Sequence, residues 1–118
     1  MEVVTWVIQG LLSAVFAMAG FGKVTGSRMH IDSFRRWRYP QWFRIVTGVV
    51  ELLAATLLII GIWATTLAFY GVLLLVAISI GGILTHMRIK DTIKDTIPIA
   101  SLGVLGLILA FLLLSINN

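Results

Sequence analysis

The sequence contains no cysteine and few charged residues, 12% of the chain. The missing cysteines exclude disulfides, thiol redox chemistry, Cys-ligated zinc and iron–sulfur clusters. With 59% hydrophobic residues, the chain has too little polar surface to cover a core in water. We therefore expect residues 1–118 to form a single domain whose outer solvent is lipid.

Four apolar stretches are long enough to cross a bilayer, which takes about 20 helical residues. They cover residues 3–22, 42–61, 65–85 and 97–116. The first stretch lacks the positive n-region and the cleavage site of a signal peptide, so we expect it to remain as a span. Short connections then predict an all-α membrane protein, an antiparallel bundle of four transmembrane helices.

Eight of the nine basic residues lie in the two segments that follow the first and third spans, and the ninth, Arg44, borders the first segment at the start of the second span. Basic loops usually stay on the cytoplasmic side, which predicts a multi-pass cell-membrane protein with cytoplasmic basic loops and both termini on the other side. The net charge of +4 is concentrated in these loops. Anionic lipid headgroups are therefore the expected partner, and nucleic acid is not.

The segment 27–39 has an amphipathic pattern, because Ile31, Phe34 and Trp37 recur about every three residues among arginines. This predicts a short helix between spans 1 and 2 that lies in the headgroup plane with its apolar side down. Pro40 is expected in the first turn of the second span. The segment is either a surface anchor or a docking helix for a partner protein. The expected membrane-interface residues are Arg35, Arg36, Trp37, Arg38, Tyr39 and Trp42.

Glu51 is a charged residue deep inside a span, roughly 10 Å from its end at 1.5 Å per residue. A carboxylate there costs about 2–3 kcal/mol unless it is protonated or paired, so it should face the bundle interior. Lys23 and His86 end the first and third spans on the same side. We expect the three side chains to form one cluster, with Arg44 and Arg88 as alternative partners at its rim.

Small and polar residues predict which helix faces contact protein rather than lipid. Two polar stripes are Gln9, Ser13, Gly20 and Lys23 on the first span and Ser79, Gly82 and His86 on the third. The small-residue pairs are Gly10 with Ala14, Gly48 with Ala55, Ala77 with Gly81, and Gly106 with Ala110.

The polar cluster has three interpretations. An ion pair between Lys23 and Glu51 can simply fix helix register, the cluster can bind a lipid, quinone or small ligand, or it can carry proton-coupled chemistry. The candidate residues of the ligand site or polar core are Lys23, Gly48, Glu51, Ser79 and His86. Haem ligation by His30 and His86 is disfavoured because His30 lies in the surface segment. No metal motif or catalytic motif is present, so catalytic residues are unknown.

Two short motifs give the chain a resemblance to a known family. The stretch Ala19–Gly26, AGFGKVTG, resembles the "aGxxKLxG" signature of DoxX-like proteins, and Tyr39–Pro40 followed by Thr47–Leu53, TGVVELL, resembles their "yP…lGxxEl" stretch. Chain length and the four spans agree as well. Lys23, Gly48 and Glu51 are the characteristic positions of that pattern.

The resemblance implies a four-helix membrane fold more firmly than it implies an activity. Some relatives are subunits of quinone-linked sulfur oxidoreductases or associate with membrane redox enzymes, and a distant relation includes receptor-assembly chaperones. It implies a small subunit that binds a quinone or lipid-like ligand and serves a redox or stress-response partner. The alternative is a non-enzymatic assembly factor, as a homo-oligomer or with another membrane protein, and a transporter or channel is disfavoured because four short helices leave little room for a path.

Overall fold

The computed structural model describes residues 2–90 and 93–117, which form five α-helices. They are α1 (Glu2–Thr25), α2 (Arg28–Arg36), α3 (Gln41–Ile60), α4 (Thr65–Arg88) and α5 (Ile93–Asn117). All but α2 are long and apolar enough to cross a membrane. Helices suit that solvent because they satisfy their backbone hydrogen bonds internally. The predicted all-α architecture with four spans and a short helix between the first two is confirmed.

The long helices extend beyond the predicted spans at the end of the molecule that carries the basic residues, which we call the basic end. There α1 continues to Thr25, α4 continues to Arg88, and α5 begins at Ile93. Apolarity marks only the part of a helix that lies in hydrocarbon, and the backbone continues as helix into the polar boundary. At Gly26 the chain turns with a φ of 78°, and the backbone N–H of Ser27 donates a hydrogen bond to the Gly22 carbonyl.

Four helices form a closed bundle in which α1 packs mainly on α3, α3 on α4, and α4 on α5, while α5 returns to α1. The core between them is built from fully buried apolar side chains. Its largest members are Leu12, Phe16, Leu58, Leu75 and Leu109. Dispersion contacts and shape fit hold these side chains together, since lipid offers no hydrophobic penalty for separating them.

Side-chain hydrogen bonds join α1 to α3 along their contact. The Gln9 Nε2 donates to the Leu58 carbonyl at 2.9 Å, and the Ser13 Oγ donates to the Ala55 carbonyl at 2.8 Å. Both donors are buried. The polar stripe on the first span therefore faces protein, as the sequence predicted.

The small-residue pairs divide into two kinds. Gly48 and Gly106 are buried, each with a neighbouring helix so close that an added Cβ would lie under 3.0 Å from it. A Cβ at Gly10 or Gly81 would meet nothing within 4 Å. The pair Gly10 with Ala14 and the pair Ala77 with Gly81 therefore do not mark a contact between helices of the described chain. For these two pairs the prediction from small residues is wrong.

The short helix α2 turns its apolar side onto the bundle. Phe34 is only 3% exposed, with ring centroids 5.1 Å from Trp37, 6.1 Å from Tyr39 and 6.3 Å from Phe43. The apolar side of α2 therefore rests at its centre on protein, on the aromatic residues that follow it. Pro40 precedes α3 as its N-cap residue rather than lying in the first turn. The helix covers the basic end of the bundle.

Candidate functional site

A salt bridge between α1 and α3 lies inside the basic end. The Lys23 Nζ is 2.8 Å from the Glu51 Oε1, and the two side chains are 13% and 4% exposed. The carboxylate thus faces the bundle interior with a cation beside it. This is the placement that the cost of a charge in hydrocarbon demands.

Two glycines set the distance between these charges. Gly20 and Gly48 each stand three residues before the charged residue of their helix, so glycine and charge share a face. A Cβ on Gly20 would lie 2.8 Å from the Gly48 carbonyl oxygen, and a Cβ on Gly48 would lie 2.8 Å from the Gly20 carbonyl oxygen. Only glycine permits this backbone approach, which brings the lysine and the carboxylate into contact.

Arg44 does not serve the carboxylate as its rim position had suggested. Its side chain is buried at the end of α1, where the Nη1 donates to the Lys23 carbonyl and the Nε donates to the Gln41 Oε1 at 2.8 Å. The last carbonyls of a helix lack intrahelical partners and carry a partial negative charge. Arg44 therefore fixes the end of the helix that carries Lys23.

Arg88, the other rim candidate, holds the connection between α2 and α3. Its Nη2 donates to the Trp37 carbonyl, and its guanidinium lies 4.8 Å from the centre of the Tyr39 ring. The Tyr39 hydroxyl and the Thr85 Oγ1 share a hydrogen bond of 2.9 Å. These contacts attach the connection to the end of α4.

A cavity of about 470 Å³ lies between α3 and α4 beneath this connection. We call it the groove. Its polar lining side chains are Lys23, Trp37, Tyr39, Thr47, Glu51, Thr85 and His86. Its remaining lining is aliphatic or aromatic, with Gly81 and Gly82 on the α4 side. The volume lies within the range of small-molecule sites, about 300–1,000 Å³.

The groove contains a hydrogen-bond donor that the protein does not use. The indole Nε1 of Trp37 is buried and has no hydrogen-bond partner within the described residues. The His86 ring stands edge-on to this indole, with centroids 5.9 Å apart. Buried donors are normally satisfied, and an acceptor on a bound molecule would satisfy this one.

The wall of the groove is open toward lipid. Phe43, Val46, Ala77 and Gly81 line the groove and are exposed. A Cβ at Gly81 would meet no atom within 4 Å. Small residues that had suggested a helix contact here leave a gap instead. An apolar molecule can therefore reach the polar lining from the side, through the bilayer.

Two of the predicted site residues, Gly48 and Ser79, do not line the groove, and neither does His30, the disfavoured haem ligand. Ser79 is fully buried against α5, where its Oγ donates to the Leu75 carbonyl at 3.0 Å and its Cβ approaches Gly103. It belongs to the polar core but not to the groove. His30 contacts Gly22 rather than lining the groove. Burial, followed by the charges of Lys23 and Arg44, lowers the pKa of His30 below its ordinary value.

Sequence reasoning missed two polar groove residues, Thr47 and Thr85, and assigned two others, Trp37 and Tyr39, only to the membrane interface. Thr47 was detectable, since it precedes Glu51 by four residues and so shares its face. Thr85 adjoins His86 but shows no pattern of its own. Trp37 was assigned to the membrane interface, and only the fold of the connection turns its indole inward. Within the residues that the structure describes, no group of acidic and histidine side chains is arranged to hold a metal ion.

Comparison with known proteins agrees with the fold. A family model described as "DoxX-like family" matches residues 7–111. The chain is also similar to "Uncharacterized protein YdgD" of Bacillus subtilis (strain 168), with 36% identity over 75 residues that cover 63% of this chain and 66% of that protein. No solved structure matches.

Proposed function

The chain belongs to the DoxX-like family, and from that premise and the geometry of the groove we propose that it binds a quinone or another lipid-like molecule between α3 and α4. The bound molecule would serve a membrane-associated redox or stress-response partner. The observation that carries the proposal is a laterally open apolar groove that ends at a buried ion pair and an unpartnered indole N–H.

The groove is polar in the way that a quinone headgroup or a lipid carbonyl requires. Lys23 and the Trp37 indole offer donors to a carbonyl oxygen, and Glu51 offers an acceptor to a hydroxyl. In an apolar site, a small number of well-placed polar groups fixes the orientation of the ligand and makes binding specific. The apolar tail would leave through the exposed gap beside Gly81 into the bilayer.

Proton exchange is the chemistry that this arrangement supports. Reduction of a quinone to a quinol takes up two protons with two electrons. The Glu51 side chain lies within the groove and would relay these protons one at a time, as a carboxylate that accepts each proton from water at the basic end and as a carboxylic acid that donates it to a quinone oxygen. The electrons would come from the partner protein, and the chain would hold the ligand and its proton donor.

Extraction of quinone from the purified protein tests this proposal. We expect quinone to co-purify with the wild type and to fall at least severalfold in Glu51→Gln, which keeps the shape of the side chain and removes its charge. Ser79→Ala is the matched control, because it removes a buried polar group outside the groove. A Glu51→Gln protein that folds and retains quinone as well as the control would rule out the ligand role.

We propose the cytoplasm as the location of the basic end, following the distribution of basic residues. The cysteine-free chain allows a direct test with single cysteines at Met29 near the basic end and at Trp63 in the turn at the opposite end. An impermeant thiol reagent applied to intact cells should label the position 63 variant only. Labelling of position 29 alone would reverse the orientation.

A second candidate function is a non-enzymatic assembly factor. It is favoured by the unfilled space at Gly10 and the exposure of Ala14, a small-residue face that another transmembrane helix fits. Photocrosslinkers placed within residues 28–38 should then capture one defined membrane protein. Capture of lipid alone would contradict this function and leave the ligand proposal standing.

A further inference from the structure

A second concave site lies at the basic end, on the outer side of the connection between α2 and α3. It is a cleft of about 590 Å³ lined by Arg36, Trp37, Arg38, Arg88, Ile89 and Lys90. Four of these six residues are cationic, and none is acidic. We call it the cationic cleft. Of its lining, only Trp37 also lines the groove.

The fold holds the two sides of the cationic cleft together. Arg88, from α4, donates to the carbonyl of Trp37, a residue 51 positions earlier in the chain. Its guanidinium also lies over the Tyr39 ring. The cations therefore do not come from one flexible loop. They come from two segments that are fixed to each other by a hydrogen bond and a cation–π contact.

The backbone gives an independent sign that these cations are needed. Arg38 and Lys90 have φ values of 63° and 59°, and they are the described non-glycine residues with positive φ. Each directly follows the residue that ends a helix, a position where glycine is strongly preferred. The end of α1 has that preferred residue, Gly26. At the ends of α2 and α4 a long cationic side chain occupies a position where the backbone favours glycine. Residues held in such unfavourable backbone conformations are concentrated at functional sites.

The clustered charges call for an anion. Like charges that converge on one cleft repel each other, and an anion bound between them relieves that repulsion. Arginine side chains match phosphate oxygens in pairs, while lysine adds a point charge. The cleft also lies where α4 leaves the apolar region, since Leu84 and Met87, within the preceding turn, are exposed apolar residues.

We propose that the cationic cleft binds the phosphate of an anionic phospholipid headgroup. The acyl chains would lie along the exposed apolar side of α4 below it. The bilayer places such lipids at this depth, and their charge attracts basic segments. A free phosphate ion would make the same contacts with the cations but none with the exposed apolar side of α4. The site is separate from the groove, and its ligand does not depend on the function proposed for the groove.

Native mass spectrometry with phosphatidylglycerol tests the proposal. We expect Arg38→Gln/Lys90→Gln to lower the affinity for this lipid at least tenfold. Arg28→Gln/Lys94→Gln removes the same charge from exposed positions outside the cleft and should bind as the wild type does. Equal losses in both double variants would mean diffuse attraction and would overturn the proposal.

Two further measurements separate binding from folding and lipid from free phosphate. Arg38→Gly/Lys90→Gly suits the backbone at both positions, so it should keep the melting temperature near that of the wild type and still lose the lipid. Retention of the lipid by this variant would contradict the proposal that the cationic cleft binds it. Phosphatidylglycerol should raise the melting temperature of the wild type while millimolar inorganic phosphate should not. An equal rise with phosphate would assign the cleft to a free anion and overturn the lipid.

Discussion

Small residues line both the contact of α3 with α1 and the space between α3 and α4 at the basic end. The helices are in close contact in the first place and apart in the second. Gly20 and Gly48 bring two backbones into contact, while Ala77 and Gly81 line an open groove. The first contact also has side chains that donate hydrogen bonds across it and a salt bridge. At the open region, the hydrogen bonds that reach α4 come from the connection at its end, between Tyr39 and Thr85 and from Arg88 to the Trp37 carbonyl.

The difference indicates what small residues do in a membrane. They permit a close approach, but polar groups that reach across make the approach favourable, since apolar surface gains nothing by leaving lipid. A small-residue face without polar partners is therefore free to receive something else. In this chain we assign that face to a ligand.

Of the changes that test this comparison, loss of the salt bridge should have the largest effect on the free energy of unfolding. Lys23→Met leaves the Glu51 carboxylate buried and unpaired, which should cost about 3 kcal/mol of unfolding free energy. The double variant Lys23→Met/Glu51→Leu should recover most of that loss, because an apolar pair replaces the ion pair. Denaturation in mixed detergent micelles measures both. Additive losses in the double variant would show that the two charges do not act as a pair.

A single methyl group should distinguish the closed contact from the open one. Gly48→Ala places a Cβ 2.8 Å from backbone and side-chain atoms of α1, and overpacking of this kind costs about 1–3 kcal/mol. Gly81→Ala makes the same chemical change where no atom lies within 4 Å and should leave stability unchanged. The melting temperatures of the two variants, measured in one detergent, decide the matter. Similar values would mean that the two regions are equally tight.

The attachment of the connection to α4 should contribute less. Arg88→Ala removes a hydrogen bond to the Trp37 carbonyl and the contact with the Tyr39 ring, and we expect a loss of about 1 kcal/mol. Lys94→Ala, an exposed position, is the control. The groove should become more accessible, so a cysteine at Ala77 should react faster with a lipophilic thiol reagent in the Arg88→Ala background. An unchanged rate would show that the connection does not cover the groove.

The smallest expected effect is the pH dependence that comes from His30. Burial, assisted by Lys23 and Arg44, lowers the pKa of His30 in the folded chain below the ordinary 6.5. The unfolded chain then binds a proton that the folded chain does not, so stability is highest above pH 6.5 and decreases as the pH falls through 6.5 toward the folded pKa. The melting temperature should be slightly lower at pH 5.5 than at pH 7.5. His30→Asn should reduce the difference, and a variant that keeps all of it would assign the effect elsewhere.

Much of the fold and part of the site follow from the sequence because lipid makes charge costly. Four apolar runs give four helices, and the cost of Glu51 within hydrocarbon predicts its pairing with Lys23. The roles of Arg44 and Arg88 did not follow, because a long arginine can reach a backbone carbonyl as easily as a carboxylate. Nor did the separation of Ser79 from the groove, since helix rotation within a bundle depends on the packing of all neighbours. The inward position of the Trp37 indole did not follow either, because the pattern does not show the left-handed turn at Arg38 that comes directly after it.

The central claim is that the space beside Gly81 holds a ligand, and filling that space tests it most directly. Gly81→Leu fills the open wall of the groove, and Gly10→Leu makes the same change on α1 outside it, both at positions where an added Cβ meets nothing within 4 Å. We predict that native mass spectrometry finds the same bound quinone or lipid on the wild type and Gly10→Leu and loses it from a folded Gly81→Leu. An equal amount of that ligand on all three proteins, or none on the wild type, would contradict the account.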